Sequence, residues 1–144
     1  MALVTRNHPK LTLEGARSVL AAAQRRAEEI RVPMDIAVVD DGGHLLVFER
    51  MDGAKPSSVA VAITKAVATA LRRAPTGPPM AGDQVNVVLA LGLALSASGR
   101  QTSIRGGVPL VVDGEVVGGI GVSAGTEDQD LDVARAGATA IEKV

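Results

Sequence analysis

The pair Asp113-Gly114 lies between Val108-Pro109-Leu110-Val111-Val112 and Glu115-Val116-Val117-Gly118-Gly119-Ile120-Gly121-Val122, and it constrains this chain more than any other feature. A type I′ turn needs two successive residues at positive φ, and Asp-Gly accepts both, so the two β-rich runs must fold back on each other as an antiparallel hairpin. A second hairpin follows the same logic. Met34 to Asp40 is a short apolar run, Asp41-Gly42-Gly43 reads as a turn, and His44 to Arg50 is the return strand.

Helical patterns surround the hairpins. Leu13, Ala16, Leu20, Ala23, Ala27 and Ile30 recur at alternating spacings of three and four, with Thr12 as the N-cap and Pro33 as the stop. Met51 to Pro56 is a loop, Ser57 caps a second helix running to about Arg73, and Ala74 to Pro79 closes it as the one candidate for a mobile connection. Asp83 to Ala97 has helical length, weakened by Gly92 and Val87-Val88. Ser98 to Gly107 reads as a loop with a short edge strand. Thr126 and Gln129 form a capping box before a last helix marked by Leu131, Ala134, Ala138 and Ile141. Two hairpins separated by helices predict a single α+β domain over residues 1–144, an antiparallel sheet with helices packed against it.

Composition narrows the function. The chain is 47% hydrophobic yet holds one aromatic residue, Phe48, so its core is Val, Ala, Leu and Ile, and it lacks the stacking platforms of single-strand nucleic-acid binders. A net charge of −1 gives no field toward DNA or an acidic membrane, and Arg25-Arg26 and Arg72-Arg73 read as solvated helix faces. With no cysteine there is no disulfide, thiolate nucleophile or iron–sulfur cluster. The first residues do not read as a signal peptide and no apolar run reaches membrane-spanning length, so the expected location is the cytoplasm and no membrane partner is expected.

Gly119-Ile120-Gly121-Val122-Ser123-Ala124 matches a dinucleotide fingerprint in letters only. It follows the second arm of a hairpin, and the twenty residues after it hold no strand bearing a ribose-binding acid. Its glycines read instead as places where a neighbouring backbone approaches closely. The opening of the last helix offers N–H groups to an anion, but Glu127, Asp128 and Asp130 already complement the dipole there. On the second helix, Ser58, Ala62, Lys65 and Thr69 share a face. Lys65 is thus a candidate for the floor of a pocket that takes a carboxylate or phosphate, the alternatives being a snorkelling side chain or a pair with Asp52. Arg50 offers a planar fork to a carboxylate, and Asp52 is either a turn residue or a general acid or base. No two histidines stand three or four apart, which removes a helical metal site; with Cys and Tyr missing, the residues able to ligate a haem iron are His8, His44 and the methionines.

Two blocks in register carry a family likeness. Ile36-Ala37-Val38-Val39-Asp40-Asp41-Gly42-Gly43-His44-Leu45 with Phe48-Glu49-Arg50-Met51-Asp52-Gly53-Ala54, continued by Ser58 and Lys65-Ala66, is one. Gly106-Gly107-Val108-Pro109-Leu110, Asp113 to Ser123 and Asp128-Gln129-Asp130 is the other. Together they resemble the GlcG/HbpS family, which includes the C-terminal domain of PduO-type proteins, from about Leu11 to Ile141. The resemblance implies a profilin/PAS-like fold and a homo-oligomer, with octamers among family members and haem bound by some. The chain departs from the family at Ala124, where glycine is frequent, and at Leu71, where an aromatic is common.

Three functions follow as expectations. The first is haem binding or haem handling, with His8 or His44 as axial ligand. The second is a cofactor-independent enzyme or binder for a small acidic metabolite, working by isomerisation, cyclisation or hydration, with Lys65 and Asp52 as catalytic groups and Arg50, Ser58, Thr69 and Gly107 around the ligand. The third is a structural or sensory oligomer in which the Ala-rich first helix packs subunit against subunit.

Overall fold

A computed structural model describes residues 1–142, so the expected domain span of 1–144 ends two residues outside the described part. Helix α1 (Leu13–Glu29) leads into β1 (Asp35–Asp40) and β2 (Leu45–Arg50), followed by α2 (Ser58–Arg72). A miniature hairpin of β3 (Met80–Ala81) and β4 (Gln84–Val85) precedes α3 (Val87–Ser96), and β5 (Gly107–Val112), β6 (Glu115–Ser123) and α4 (Glu127–Thr139) complete the chain. The four long strands form one antiparallel sheet in the order β2-β1-β6-β5. This is the α+β architecture expected from the two hairpins.

Local chemistry accounts for these boundaries. Thr12 accepts from the Gly15 N–H at the start of α1, and Thr126 and Gln129 make the reciprocal capping box of α4. Asp113 and Gly114 sit at φ 51° and 78°, as a type I′ turn requires. The turn between β1 and β2 is tied by Asp40 Oδ1, which accepts from the N–H groups of Gly42 and His44, both at 2.9 Å. Ser57 stands at the N-cap of α2, but its side chain makes no capping hydrogen bond. The segment expected to be a mobile connection is instead tied to β5: Thr76 N–H donates to Gly107 O at 3.0 Å, and Gly107 N–H donates to Thr76 Oγ1 at 2.9 Å. The segment after Ser98 holds no edge strand before Gly107, and Gln84–Val85, inside the stretch expected to be helical from Asp83, pairs instead with Met80–Ala81.

The sheet divides the interior into two unequal layers. On one face Ile36, Val38, Ile120 and Val122 pack with Ala16, Val19, Ala23 and Ala27 of α1 and Val133, Ala134 and Ala138 of α4. On the other, Ala37 and Val39 pack with Ala62, Ala66 and Ala70 of α2, with Phe48 partly buried beside them. Each buried apolar side chain stabilises the fold by about 1.5–3 kcal/mol for the larger residues. The α2 layer gains little that way, because its side chains are small. It gains instead from close contact: a Cβ on Gly121 would stand 2.1 Å from Ala62 O, and one on Gly119 would stand 2.5 Å from Ala66 O. The close backbone approach read from these glycines is therefore what they provide.

Candidate functional site

The polar residues of α2 point inward. Lys65 is completely enclosed, and its Nζ donates to Val122 O at 2.8 Å and to Asp130 Oδ2 at 2.9 Å. Asp130 Oδ1 accepts from the Gly125 N–H at 2.9 Å. Burial pushes the Asp130 carboxyl upward, while the hydrogen bond and charge of Lys65 and the Gly125 N–H pull it back. Thr69 Oγ1 donates to Ala74 O at 2.7 Å, and a Cβ on Gly107 would lie 2.6 Å from Lys65 O. Lys65 thus neither snorkels nor pairs with Asp52. It joins α2, β6 and α4 through one buried ion pair. Lys65, Thr69 and Gly107 line none of the clefts described below.

The open clefts lie at opposite ends of the sheet. Where β2 ends, Arg50 and Asp52 line a cleft of about 560 Å³ together with Arg31, Glu28, Glu49 and Met51. Arg50 pairs in register with Asp35, which is fully enclosed and whose two carboxylate oxygens have no hydrogen-bond partner. Burial raises the Asp35 pKa, and the nearby charge of Arg50 opposes that shift. The structure therefore brings Arg50 and Asp52 together and separates them from Lys65 and Thr69. Ser58, nearly buried, opens α2.

At the other end, where β6 begins, His8, Arg73, Gly114, Glu115 and Val116 line a cleft of about 320 Å³. His8 Nδ1 meets Glu115 Oε2, and both side chains are half exposed. The segment carrying His8 is anchored by Lys10, whose Nζ donates to Asp41 Oδ2 at 2.8 Å. Arg73, in a left-handed conformation at φ 60° after α2, donates from Nη1 to Val116 O at 3.3 Å. A smaller apolar cavity of about 210 Å³, lined by Pro9, Leu11, Val112, Val117 and Ile141 among others, adjoins the same N-terminal segment. His44, exposed on the β1–β2 turn, stands at this end too, because β1 pairs Asp40 with Gly118 near the start of β6. Among the described residues no three His, Cys, Asp or Glu side chains gather as a metal site.

Sequence reasoning did not single out Glu115, Arg73 or Asp130. Arg73 had read as half of a solvated pair and Asp130 as dipole complementation. Nothing local signals that Glu115 meets a histidine more than a hundred residues earlier. No helix of the described residues is long and apolar enough to cross a membrane.

Comparison with known proteins gives this geometry a context. The family model described as "Haem degrading protein HbpS-like" matches residues 11–139. Protein GlcG of Escherichia coli K12 is 38% identical over 113 residues, spanning 78% of this chain and 81% of that protein. Among solved structures, a PduOC:heme complex superposes with a TM-score of 0.80 at 28% identity, covering 92% of this chain and 96% of the other. HbpS superposes with a TM-score of 0.77 at 34% identity, covering 94% and 92%.

Proposed function

This chain belongs to the HbpS-like family, and from that membership we propose that it binds haem at the end of the sheet where β6 begins. The observation that carries the reading is the His8–Glu115 contact with Arg73 in the same cleft. It is supported by the haem named in the complex of a structural neighbour.

The residues present suit the group. A haem site needs an axial donor, an apolar wall and a cation for the propionates. When bound, haem supplies an iron that takes axial ligands and changes oxidation state. Glu115 holds His8 through Nδ1, which orients the ring and leaves Nε2 free to ligate, the arrangement common among metal-binding histidines. The Arg73 guanidinium suits a carboxylate bidentately. The apolar cavity beside Pro9 and Leu11 offers a wall for a porphyrin edge.

Titrating hemin into the purified protein tests the reading. A Soret shift is expected in the wild type, lost in His8→Ala, kept in His44→Ala, and weakened about tenfold in affinity in Glu115→Gln. A spectrum identical to free hemin with the wild type ends the proposal. Loss in His44→Ala alone transfers the axial role to the β1–β2 turn.

A second reading is favoured by one observation: Arg31, Arg50 and Asp52 share the larger cleft. A small organic acid would meet two guanidinium groups there, with Asp52 as acid or base. Lys65 would enter this chemistry only by releasing Asp130. A panel of organic acids in a thermal-shift assay, run on wild type and Arg50→Ala, discriminates. Equal responses from the two proteins to every acid would remove this reading.

A further inference from the structure

The cleft where β2 ends gathers charged side chains of both signs. Glu28 comes from the last turn of α1 and Arg31 from just beyond it, while Glu49, Arg50 and Asp52 come from the end of β2 and the turn that follows. Opposite charges on neighbouring elements pair elsewhere in this chain, Arg26 with Asp132 and Lys10 with Asp41. In the cleft, none of these side chains forms an ion pair among the described residues. Glu28 accepts from Gln24 Nε2 at 3.0 Å, and Glu49 is half-buried. Glu49 pairs in register with Ile36, which packs in the layer of α1, so Glu49 lies on the face of the sheet that α1 covers.

The chemistry of the lining selects the ligand. A guanidinium presents a planar fork of N–H donors that matches the two oxygens of a carboxylate, which gives Arg31 and Arg50 their use. Against these two cations stand Glu28, Glu49 and Asp52, so a plain acid would meet more like charge than opposite charge. An ammonium on the same ligand reverses that balance. Phe48, the one aromatic residue of the chain, does not line the cleft, so there is no aromatic cage for a quaternary ammonium. A primary ammonium instead donates three hydrogen bonds, for which carboxylates are the natural acceptors. The uncharged lining includes Ala27, Val32 and Met51, an apolar surface for an aliphatic spine. The volume of about 560 Å³ lies within the range of small-molecule sites.

We infer that this cleft takes a small aliphatic amino acid, its carboxylate on Arg31 and Arg50 and its ammonium on Glu49. Glu49 receives the ammonium because it is half-buried and outside any ion pair, whereas Glu28 already accepts from Gln24 and Asp52 is exposed on the turn. The inference rests on the second reading above, that the cleft binds an organic acid, and narrows that class to acids that also carry a primary ammonium. It stands apart from haem binding, since no residue of this cleft lines the one that holds His8.

Calorimetric titration of the full chain with valerate, pentylamine, norvaline and δ-aminovalerate tests it, because these compounds share one carbon spine and differ in charge. At least one of the two amino acids is expected to bind about tenfold more tightly than valerate and than pentylamine. Valerate binding as tightly as both amino acids overturns the inference and leaves the organic-acid reading standing. Pentylamine binding as tightly as both, or no binding by any of the compounds, overturns the inference together with that reading. This comparison uses the wild type alone, so it holds whether or not a substituted chain folds. In Glu49→Gln the amino acid is expected to lose its tenfold advantage while valerate binds no more weakly than before, and in Arg50→Ala both ligands weaken. An advantage kept in Glu49→Gln overturns the inference as well.

Discussion

Helix α2 holds a lysine and three hydroxyl residues, yet it is drawn so close to the sheet that its backbone nearly touches two glycines. Helix α3 holds no charge, and it stands clear of the core. Hydropathy alone would have buried α3 first. What decides the matter is fit. Ala62, Ala66 and Ala70 present a flat surface to a floor made flat by Gly119 and Gly121, whereas the Val and Leu side chains of α3 have no complementary floor within the subunit. The cost of drawing α2 inward is a buried ammonium, and Asp130 offsets it from a helix on the other side of the sheet.

The contrast is most easily broken at the glycines. Gly121→Ala places a methyl 2.1 Å from Ala62 O and 2.4 Å from Ala66 N, both of them backbone atoms that cannot step aside, so α2 must lift. The expected loss is about 3 kcal/mol or more in urea denaturation. The matched change on the other helix, Gly92→Ala, meets nothing within 4 Å and is expected to gain up to about 1 kcal/mol from helix propensity. Similar stabilities for the two variants would mean that the close approach of α2 is not what holds it.

The ion pair comes next. Lys65→Met leaves Asp130 buried without its cation and is expected to cost about 3–5 kcal/mol, while Lys65→Met/Asp130→Leu recovers most of that because neither charge remains. A double variant as unstable as the single one would show that Asp130 serves chiefly through its hydrogen bond from Gly125.

The hairpins were legible in sequence because turn chemistry is local: Asp113-Gly114 states its own geometry, and register follows from it. The first helix was legible for the same reason, although Val19, outside the expected stripe, proved fully buried while Leu13 is exposed. The Lys65–Asp130 pair was not legible, since it joins residues 65 positions apart through an antiparallel crossing that no spacing rule encodes. The two-residue strands at Met80 and Gln84 are too short to show alternation. For the candidate sites, the sequence named Arg50, Asp52 and His8, but their sorting to opposite ends of the sheet depends on pairing register. Glu115 and Arg73 acquire meaning only beside His8.

Asp35 sharpens the comparison through pH. It lies on the α2 face of β1, enclosed and unpartnered, with its pKa raised by burial against the pull of Arg50. The folded chain therefore binds this proton more tightly than the unfolded chain. The contribution of Asp35 is most favourable below the unfolded value near 3.9 and is lost as pH rises through the raised folded value. Asp35→Asn removes the buried charge, so it is expected to stabilise by about 1 kcal/mol at neutral pH and by nothing measurable near pH 3. Calorimetry across that range checks it. A gain independent of pH would show that Asp35 holds its proton equally well in the folded and the unfolded chain.

The smallest effect concerns the link that carries Asp130 toward Lys65. Ala124 joins β6 to α4 at φ 99°, a conformation that side chains bearing a Cβ rarely adopt. Holding a non-glycine residue there costs about 1–3 kcal/mol. Glycine would release that strain, but it also gives the unfolded chain extra freedom worth about 0.4–1 kcal/mol. Strain relief is the larger quantity, so Ala124→Gly is expected to raise the urea midpoint by the equivalent of about 1 kcal/mol with the slope unchanged. The same substitution in the Lys65→Met/Asp130→Leu background asks whether the strain exists to aim Asp130. If the gain is unchanged there, the turn and the ion pair are independent; if it shrinks, part of the strain is being held by the pair.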